Sequence, residues 1–392
     1  MNLPSAPEQP FPRTLFVLDN LYISGAEKIA VNLLRHAQAR GLPADGIVFM
    51  DDHLGADNCG ARLCTFEGPT GGSFFSRFLR GVSRVPALAR AAADFDIIVP
   101  VTPPAIPWAV AAAKASNARV VPWVHYDLDG FKLAPYGDGR GVRDFLMNAL
   151  FTRVAPAFDH LIFASYGAMD SFAKVRGGIR PGWAWAPNVY DRQALTDAPS
   201  VSAAALDACR AKGRAALLFA GRIDRHKRWE EAVKVAELLF ARGFAFELHF
   251  AGDGPEMGQL RDAVERSPAR ERIFLHGFDY NVTAALSKAD ALLLTSLTEA
   301  WPTVVLESFD VGLPVLSYDC PSGPAEMLGR NLERGVLCVD AEELADRVVW
   351  LLDPRQAELR SAMTERAKLF LEDYRAERAL VRWGEVLRNM ME

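Results

Sequence analysis

The 392-residue chain lacks any unbroken apolar run of the roughly eighteen residues that a membrane-spanning helix needs. Its start is polar and carries Pro4, Pro7, Pro10 and Pro12. No basic segment followed by an apolar one stands there, so no secretory leader is expected. Cysteine is sparse: Cys59, Cys64, Cys209, Cys320 and Cys338 are scattered, with no C-x-x-C pair and no histidine at zinc spacing. Free thiols in a reducing, cytoplasmic compartment are expected, and no structural metal. No excess of positive charge is present. Lys and Arg number 44 against 49 Asp and Glu, a net charge of −5, so nucleic acid is not an expected partner. No G-x-G-x-x-G follows the first strand, which disfavours a nicotinamide-dependent dehydrogenase. What the chain does have is apolar residues, 50% of the total, enough to exclude a disordered protein.

Short apolar runs alternate with helical patterns. Strands are expected at 14–18, 46–50, 96–101, 119–124 and 161–164, with helices at 25–40, 74–92 and 107–115 between them. A second series has strands at 215–220, 246–251, 273–276, 291–295 and 314–317, with helices at 229–242 and 303–311. This βαβ alternation predicts an α/β protein of two Rossmann-like domains with parallel sheets. The expected boundaries are residues 1–190, a linker at 191–212 rich in Ala, Asp, Ser and Pro, and 213–376. A terminal helix near 377–392 is the remaining element. Up to residue 190 there are 18 Lys and Arg against 16 Asp and Glu, and beyond it 26 against 33. The first domain is the more basic. Its 74–90 helix interleaves Phe74, Phe75 and Phe78 with Arg77, Arg80, Arg84 and Arg90. The ordinary reading, preferred here, turns the Phe residues to the core and the Arg residues to water. The same interleaving suits an anionic membrane surface.

Three strand ends in the second domain carry chemistry. After 215–220 come Gly221, Arg222 and Lys227, two cations at a sheet's carboxyl edge that suit a diphosphate. After 246–251 stands Gly252-Asp253-Gly254-Pro255, which a tight turn with Asp253 as helix cap explains structurally. After 291–295 comes Glu299-Ala300-Trp301-Pro302-Thr303-Val304, running into the 303–311 helix. Pro302 suits its first turn, and the following amides offer an anion site. Glu299 and Glu307 flank that anion site, which makes sense if each accepts hydrogen bonds from neutral sugar hydroxyls. The apolar neighbours of Glu307 argue against an ordinary exposed carboxylate.

These motifs, with His276-Gly277-Phe278 and Gly312-Leu313-Pro314-Val315, resemble the retaining glycosyltransferases of family 4, which have the GT-B fold. The match in order and spacing covers about residues 215–330. The resemblance implies that Arg222 and Lys227 hold the donor diphosphate. It also implies that Gly277 and Phe278 sit by the nucleobase, that Glu307 binds the ribose and that Glu299 binds the transferred sugar. Backbone amides from Ala300 to Thr303, with Val304 beside them, would touch sugar and phosphate. Gly221 and Gly252 would allow close approach. In the first domain Ser24-Gly25-Ala26-Glu27 departs from the family's Gly-Gly-x-Glu. Gly25 would still let a helix start reach the diphosphate, and Glu27 is read as a cap carboxylate. His125 stands where the family has a histidine that reaches the donor sugar.

Asp127-Leu128-Asp129 fits a metal-binding D-x-D, but loop capping or acceptor contact is the preferred reading. Glu326, in a turn feeding a helix, is read as a cap that could also approach the donor. No nucleophile aimed at an anomeric carbon is evident. The resemblance therefore implies a metal-independent, front-face transfer in which the leaving phosphate takes the acceptor's proton. Domain closure would exclude water, and the terminal helix would cross back to the first domain. The expected donor is a UDP- or GDP-linked sugar. The expected acceptor is a saccharide, lipid-linked, at the inner membrane face. Alternatives are another GT-B enzyme, such as a nucleotide-sugar epimerase or a soluble-sugar synthase, or a two-domain ligand-binding protein.

Overall fold

The computed structural model describes residues 11–21, 25–52, 61–66, 74–133, 142–192 and 199–392. The chain divides into two compact units. One comprises Met1–Asp191 with Asp373–Glu392, and the other Arg192–Glu372.

In the first unit, β1 (Thr14–Leu21), β2 (Ala44–Asp52), β3 (Leu63–Thr65), β4 (Ile97–Pro100) and β5 (Arg119–Val120) form a parallel sheet of order β3-β2-β1-β4-β5. A second parallel sheet joins β6 (Trp123–Val124), β7 (Leu161–Phe163) and β8 (Trp183–Trp185) in that order. The expected single strand at 119–124 is thus two strands in two sheets. The cause is Pro122, which has no N–H for a ladder. Val121 N still bonds Ile98 O in the first sheet, whereas Pro122 O already accepts from Ile162 N in the second.

Helix Ala376–Asn389 belongs to this unit. Its Trp383 is fully buried, packs edge-on against Trp123 and Phe16, and donates from Nε1 to Pro187 O at 2.9 Å. The terminal helix therefore completes this unit's core.

Helix Phe74–Ala92 reverses part of the preferred reading. Arg84 is buried and donates to Phe49 O at 2.7 Å and Phe66 O at 3.1 Å. Phe78, Leu79 and Val82 are each about half exposed. Two carbonyls beyond the helix capture the guanidinium, which a helical periodicity does not reveal. The side chains of Phe74, Phe75 and Arg77 lie outside the description.

In the second unit, β9 (Ala215–Ala220), β10 (Phe246–Ala251), β11 (Ile273–Leu275), β12 (Ala291–Leu294), β13 (Val315–Tyr318) and β14 (Val336–Cys338) form a parallel sheet. Its order is β11-β10-β9-β12-β13-β14. The chain winds from β9 to β11 in one direction and resumes on the other side of β9 with β12. That reversal opens a crevice at the carboxyl ends of β9 and β12, the usual ligand position in such sheets. Helix Ala203–Ala211 lies within the stretch expected to be a linker. Leu206 and Cys209 on it are buried. Among the described residues, no helix is long and apolar enough to cross a membrane.

Candidate functional site

The loops after β9 and β12 meet at the crevice. Leu297 N donates to His226 O at 2.7 Å, and Thr295 Oγ1 donates to Lys227 O and Arg228 O, each at 3.0 Å. These bonds bring Lys227 Nζ into direct ion-paired contact with Glu299 Oε1, which also accepts from Ser296 Oγ at 2.7 Å. Burial alone opposes a charged Lys227, but the Glu299 carboxylate outweighs it, so the ammonium's pKa is raised. Two residues assigned different jobs by sequence thus stand as one pair. Arg222 is different. Its guanidinium is two-thirds exposed and lies 3.4 Å from Asp224.

Backbone strain gathers beside this pair. Arg228, next to Lys227, has φ of +46°, and Ser322, bridged to Glu299 through backbone, has φ of +73°. A left-handed non-glycine residue costs about 1 kcal/mol or more, and such cost persists only where surroundings enforce it. Gly323 N holds Glu299 O at 2.8 Å from the far side. A Cβ on Gly323 would lie 2.5 Å from Ala300 O.

The glycine turns are explained first by packing. A Cβ on Gly252 would lie 1.8 Å from Gly221 O, and one on Gly254 would lie 2.3 Å from Ile223 O. Gly221, with φ of +155°, and Gly277, with φ of +72°, adopt backbone that favours glycine. Gly252 N bonds Gly277 O at 2.7 Å, stitching the turns after β10 and β11. Asp253 is not the helix cap expected. Helix Met257–Arg266 starts later, after Glu256, and Asp253 Oδ1 accepts from Gly254 N instead.

Helix Thr303–Val311 has the expected bounds, but Pro302 is its extended N-cap rather than a residue of its first turn, because ψ of 108° keeps it out of the helix; a left-handed Gly312 stops it. Thr303 and Val304 are half-buried in its first turn, while Ala300, Trp301 and Pro302 are buried. The Trp301 ring packs toward Phe370, 6.4 Å between centroids, and so anchors the loop. Glu307 is 6% exposed, which removes the reading of a solvated helix face. Phe278 is exposed and stands edge-on to an exposed Tyr280 at 4.7 Å. Tyr280 was not singled out from sequence, and only its spacing from Phe278 could have marked it.

In the first unit, His125 follows β6 and packs tilted against Trp123, 4.3 Å between ring centroids and 49° between planes. Burial lowers its pKa to about 3, and its Nε2 has no hydrogen-bond partner. It is a neutral imidazole with a ring nitrogen to offer. Asn188, after β8, is 1% exposed, and both amide atoms are unpartnered. Sequence reading passed it over. Gly25 opens helix Gly25–Ala39, with Glu27 in its first turn; Ser24 lies outside the described residues. Burial raises the Glu27 pKa to about 7, a backbone hydrogen bond partly opposes this, and Asp19 adds to the rise. The D-x-D carboxylates already have protein partners. Asp127 Oδ1 accepts from Gly130 N at 2.6 Å, capping helix Leu128–Leu133, and Asp129 pairs with Lys174 at 2.6 Å. Glu326 lies in the first turn of helix Gly323–Leu328.

The model for Glycosyltransferase Family 4 matches residues 23–184, and that for Glycosyl transferases group 1 matches residues 209–370. An exopolysaccharide phosphotransferase of Streptomyces coelicolor is 27% identical over 60% of this chain and 24% of its own length. A 2-deoxystreptamine glucosyltransferase of Streptomyces kanamyceticus is 30% identical over 43% of this chain and 45% of its own. A lipopolysaccharide 1,6-galactosyltransferase of Escherichia coli is 31% identical over 29% and 33%. The chain thus spans less than half the length of these curated relatives. Among solved structures, HepE of Anabaena in complex with UDP-glucose has a TM-score of 0.74 at 16% identity, covering 96% of this chain and 99% of that one. WaaG, a glycosyltransferase involved in lipopolysaccharide biosynthesis, has a TM-score of 0.69 at 16% identity, covering 92% and 95%. The fold is that of the GT-B enzymes, and the chain belongs to the glycosyltransferases that join a Family 4 domain to a group 1 domain.

Proposed function

We propose that the protein moves a sugar from a UDP-linked donor to a saccharide acceptor in surface polysaccharide or glycolipid assembly, with retention of anomeric configuration. The observation that carries this reading is the Lys227–Glu299 pair at the crevice between β9 and β12. A diphosphate entering there exchanges one anionic partner of Lys227 for another, and releases Glu299 to accept hydrogen bonds from sugar hydroxyls. Exposed Arg222 adds a planar fork for a second phosphate oxygen. The amides opening helix Thr303–Val311 supply fixed positive dipoles. Phe278 and Tyr280 offer faces for the base, and Glu307 takes the ribose hydroxyls. UDP is favoured over GDP because the HepE structure carries UDP-glucose.

In the transfer, the bond from the anomeric carbon to the leaving phosphate oxygen breaks. The bond to the acceptor oxygen forms on the same face, and the acceptor's proton passes to that phosphate. The protein positions the reactants, and Arg222 and Lys227 stabilise the charge on the departing diphosphate, so no metal step is assigned. His125, neutral at working pH, gives the first unit an uncharged hydrogen-bonding group suited to a sugar hydroxyl. The first unit recognises the acceptor, which is lipid-linked at the cytoplasmic membrane face. Phe78, Leu79 and Val82 on helix Phe74–Ala92 support membrane contact.

Anomeric proton NMR of the product tests retention: the donor's configuration is expected, and an inverted product contradicts the mechanism. Flotation with vesicles containing anionic phospholipid tests the membrane reading. Wild type is expected to float and Leu79→Asp to remain in solution, whereas equal behaviour contradicts it.

A further inference from the structure

Strand β10 has two unlike faces. Phe246, Leu248 and Phe250 enter the apolar core, while Glu247 and His249 point to the opposite side and are 2% and 1% exposed. There they meet Cys209 of helix Ala203–Ala211, which is fully buried. One ligand atom from each of Cys209, Glu247 and His249 lies within 4.8 Å of the others. A thiol, a carboxylate and an imidazole are the ligand types that a zinc-like ion takes.

Three details favour an ion over a chance polar cluster. First, His249 Nε2 is buried and has no hydrogen-bond partner. Its Nδ1 lies 2.9 Å from His276 Nε2. A buried orphan N–H is rarer than a buried orphan acceptor, so the proton belongs on Nδ1, pointing at His276. The Nε2 lone pair then faces Glu247 and Cys209. A second residue that fixes the tautomer in this way is typical of metal-bound histidines.

Second, Glu247 Oε2 lies 3.6 Å from His249 Nε2. That is too long for a hydrogen bond, yet near the edge, about 3.3 Å, of a tetrahedron built from zinc–nitrogen and zinc–oxygen bonds. Third, the other oxygen, Oε1, is already held by Arg214 at 2.6 Å and Lys212 at 3.3 Å. A ligating carboxylate is commonly held this way through its free oxygen, and the two cations offset the negative ligand set. Arg210, on the same helix, pairs instead with Asp290 at 3.3 Å.

We propose that Cys209, Glu247 and His249 bind a zinc-type divalent ion that ties helix Ala203–Ala211 to β10. The site is separate from the Lys227–Glu299 crevice and stands whether or not the transfer mechanism above holds. The Cys209 thiol now faces Arg214 O at 3.6 Å. On binding, the S–H bond breaks, the proton leaves to solvent, and the thiolate keeps the electron pair as a ligand. Through His276 the ion would also steady the turn that carries Gly277 and Phe278.

The test uses the full chain purified without added metal or chelator. Elemental analysis is expected to find about one equivalent of zinc per chain. Cobalt(II) added after zinc removal is expected to give a near-ultraviolet thiolate charge-transfer band. Cys209→Ser is expected to lose that band and to lower zinc at least about tenfold. Two results overturn the proposal. One is folded wild-type protein with under about a tenth of an equivalent of zinc and no cobalt spectrum. The other is a band that survives in Cys209→Ser, which would place the thiolate elsewhere. If that variant does not fold, zinc content and the cobalt spectrum of the wild type decide the matter alone.

Discussion

At their candidate sites the two units hold buried titratable groups differently. The second unit pairs them: Lys227 with Glu299, and Glu247 with Arg214 and Lys212. At the first unit's candidate site, His125 has its pKa lowered to about 3 and Glu27 has its raised to about 7, both mainly by burial, although buried Arg84 elsewhere in the unit stays charged on two carbonyls. Pairing keeps charge available in a low-dielectric place, which suits an anionic diphosphate. Neutralisation leaves uncharged hydrogen-bonding groups, which suit sugar hydroxyls.

The largest expected effect separates the units by stability. Trp383→Ala removes the indole that closes the first unit's core, and should cost about 3–5 kcal/mol in denaturant unfolding. UDP affinity measured below the transition should be unchanged, because the residues proposed to hold the nucleotide lie in the second unit. A parallel loss of nucleotide binding would break the comparison.

Next is Lys227→Ala. It removes the cation proposed to meet the diphosphate, and should lower the rate of sugar transfer by about 10²- to 10³-fold. It also strands the buried Glu299. Lys227→Ala with Glu299→Gln should therefore recover thermal stability without recovering activity. Steady-state rates and melting curves of the single and double variants check this. Near-normal transfer by Lys227→Ala would remove the residue from the diphosphate site.

Glu27 gives a pH signature. A carboxyl whose pKa rises from 4.5 unfolded to about 7 folded binds its proton more tightly in the folded state. Stability is therefore lost as pH climbs between those values, by about 3 kcal/mol once above both. Glu27→Gln should match wild type near pH 4 and exceed it near pH 8 in urea unfolding. No pH dependence in the difference would contradict a buried, neutralised carboxyl. The smallest effect expected is in Glu307→Ala, about tenfold weaker UDP binding from the loss of a ribose contact. Equal affinity in a folded variant would refute the ribose role.

Legibility followed physical range. Helix Thr303–Val311 was readable because Pro302 and Gly312 mark its ends locally. Strands Leu63–Thr65, Trp183–Trp185 and Val336–Cys338 were missed, although the equally short Leu161–Phe163 and Ile273–Leu275 were readable. Pro122 was visible, but its moving the chain from one sheet to another depends on a neighbour, Ile162, forty residues on. Likewise, Arg84 is buried because carbonyls of Phe49 and Phe66 await it. In the candidate site, residue types and strand-end positions were legible. The pairing of Lys227 with Glu299 across 72 residues was not. It follows from strand order, which local pattern does not encode.

The most direct test of the charged crevice is calorimetric titration of wild type and Lys227→Ala with UDP, GDP, ADP and uridine, each with and without EDTA. The account predicts micromolar binding of UDP by wild type, weak binding of uridine, no effect of EDTA, and at least about tenfold weaker UDP binding by Lys227→Ala. Equal binding of UDP and uridine, or a Lys227→Ala variant that binds UDP as wild type does, would contradict it.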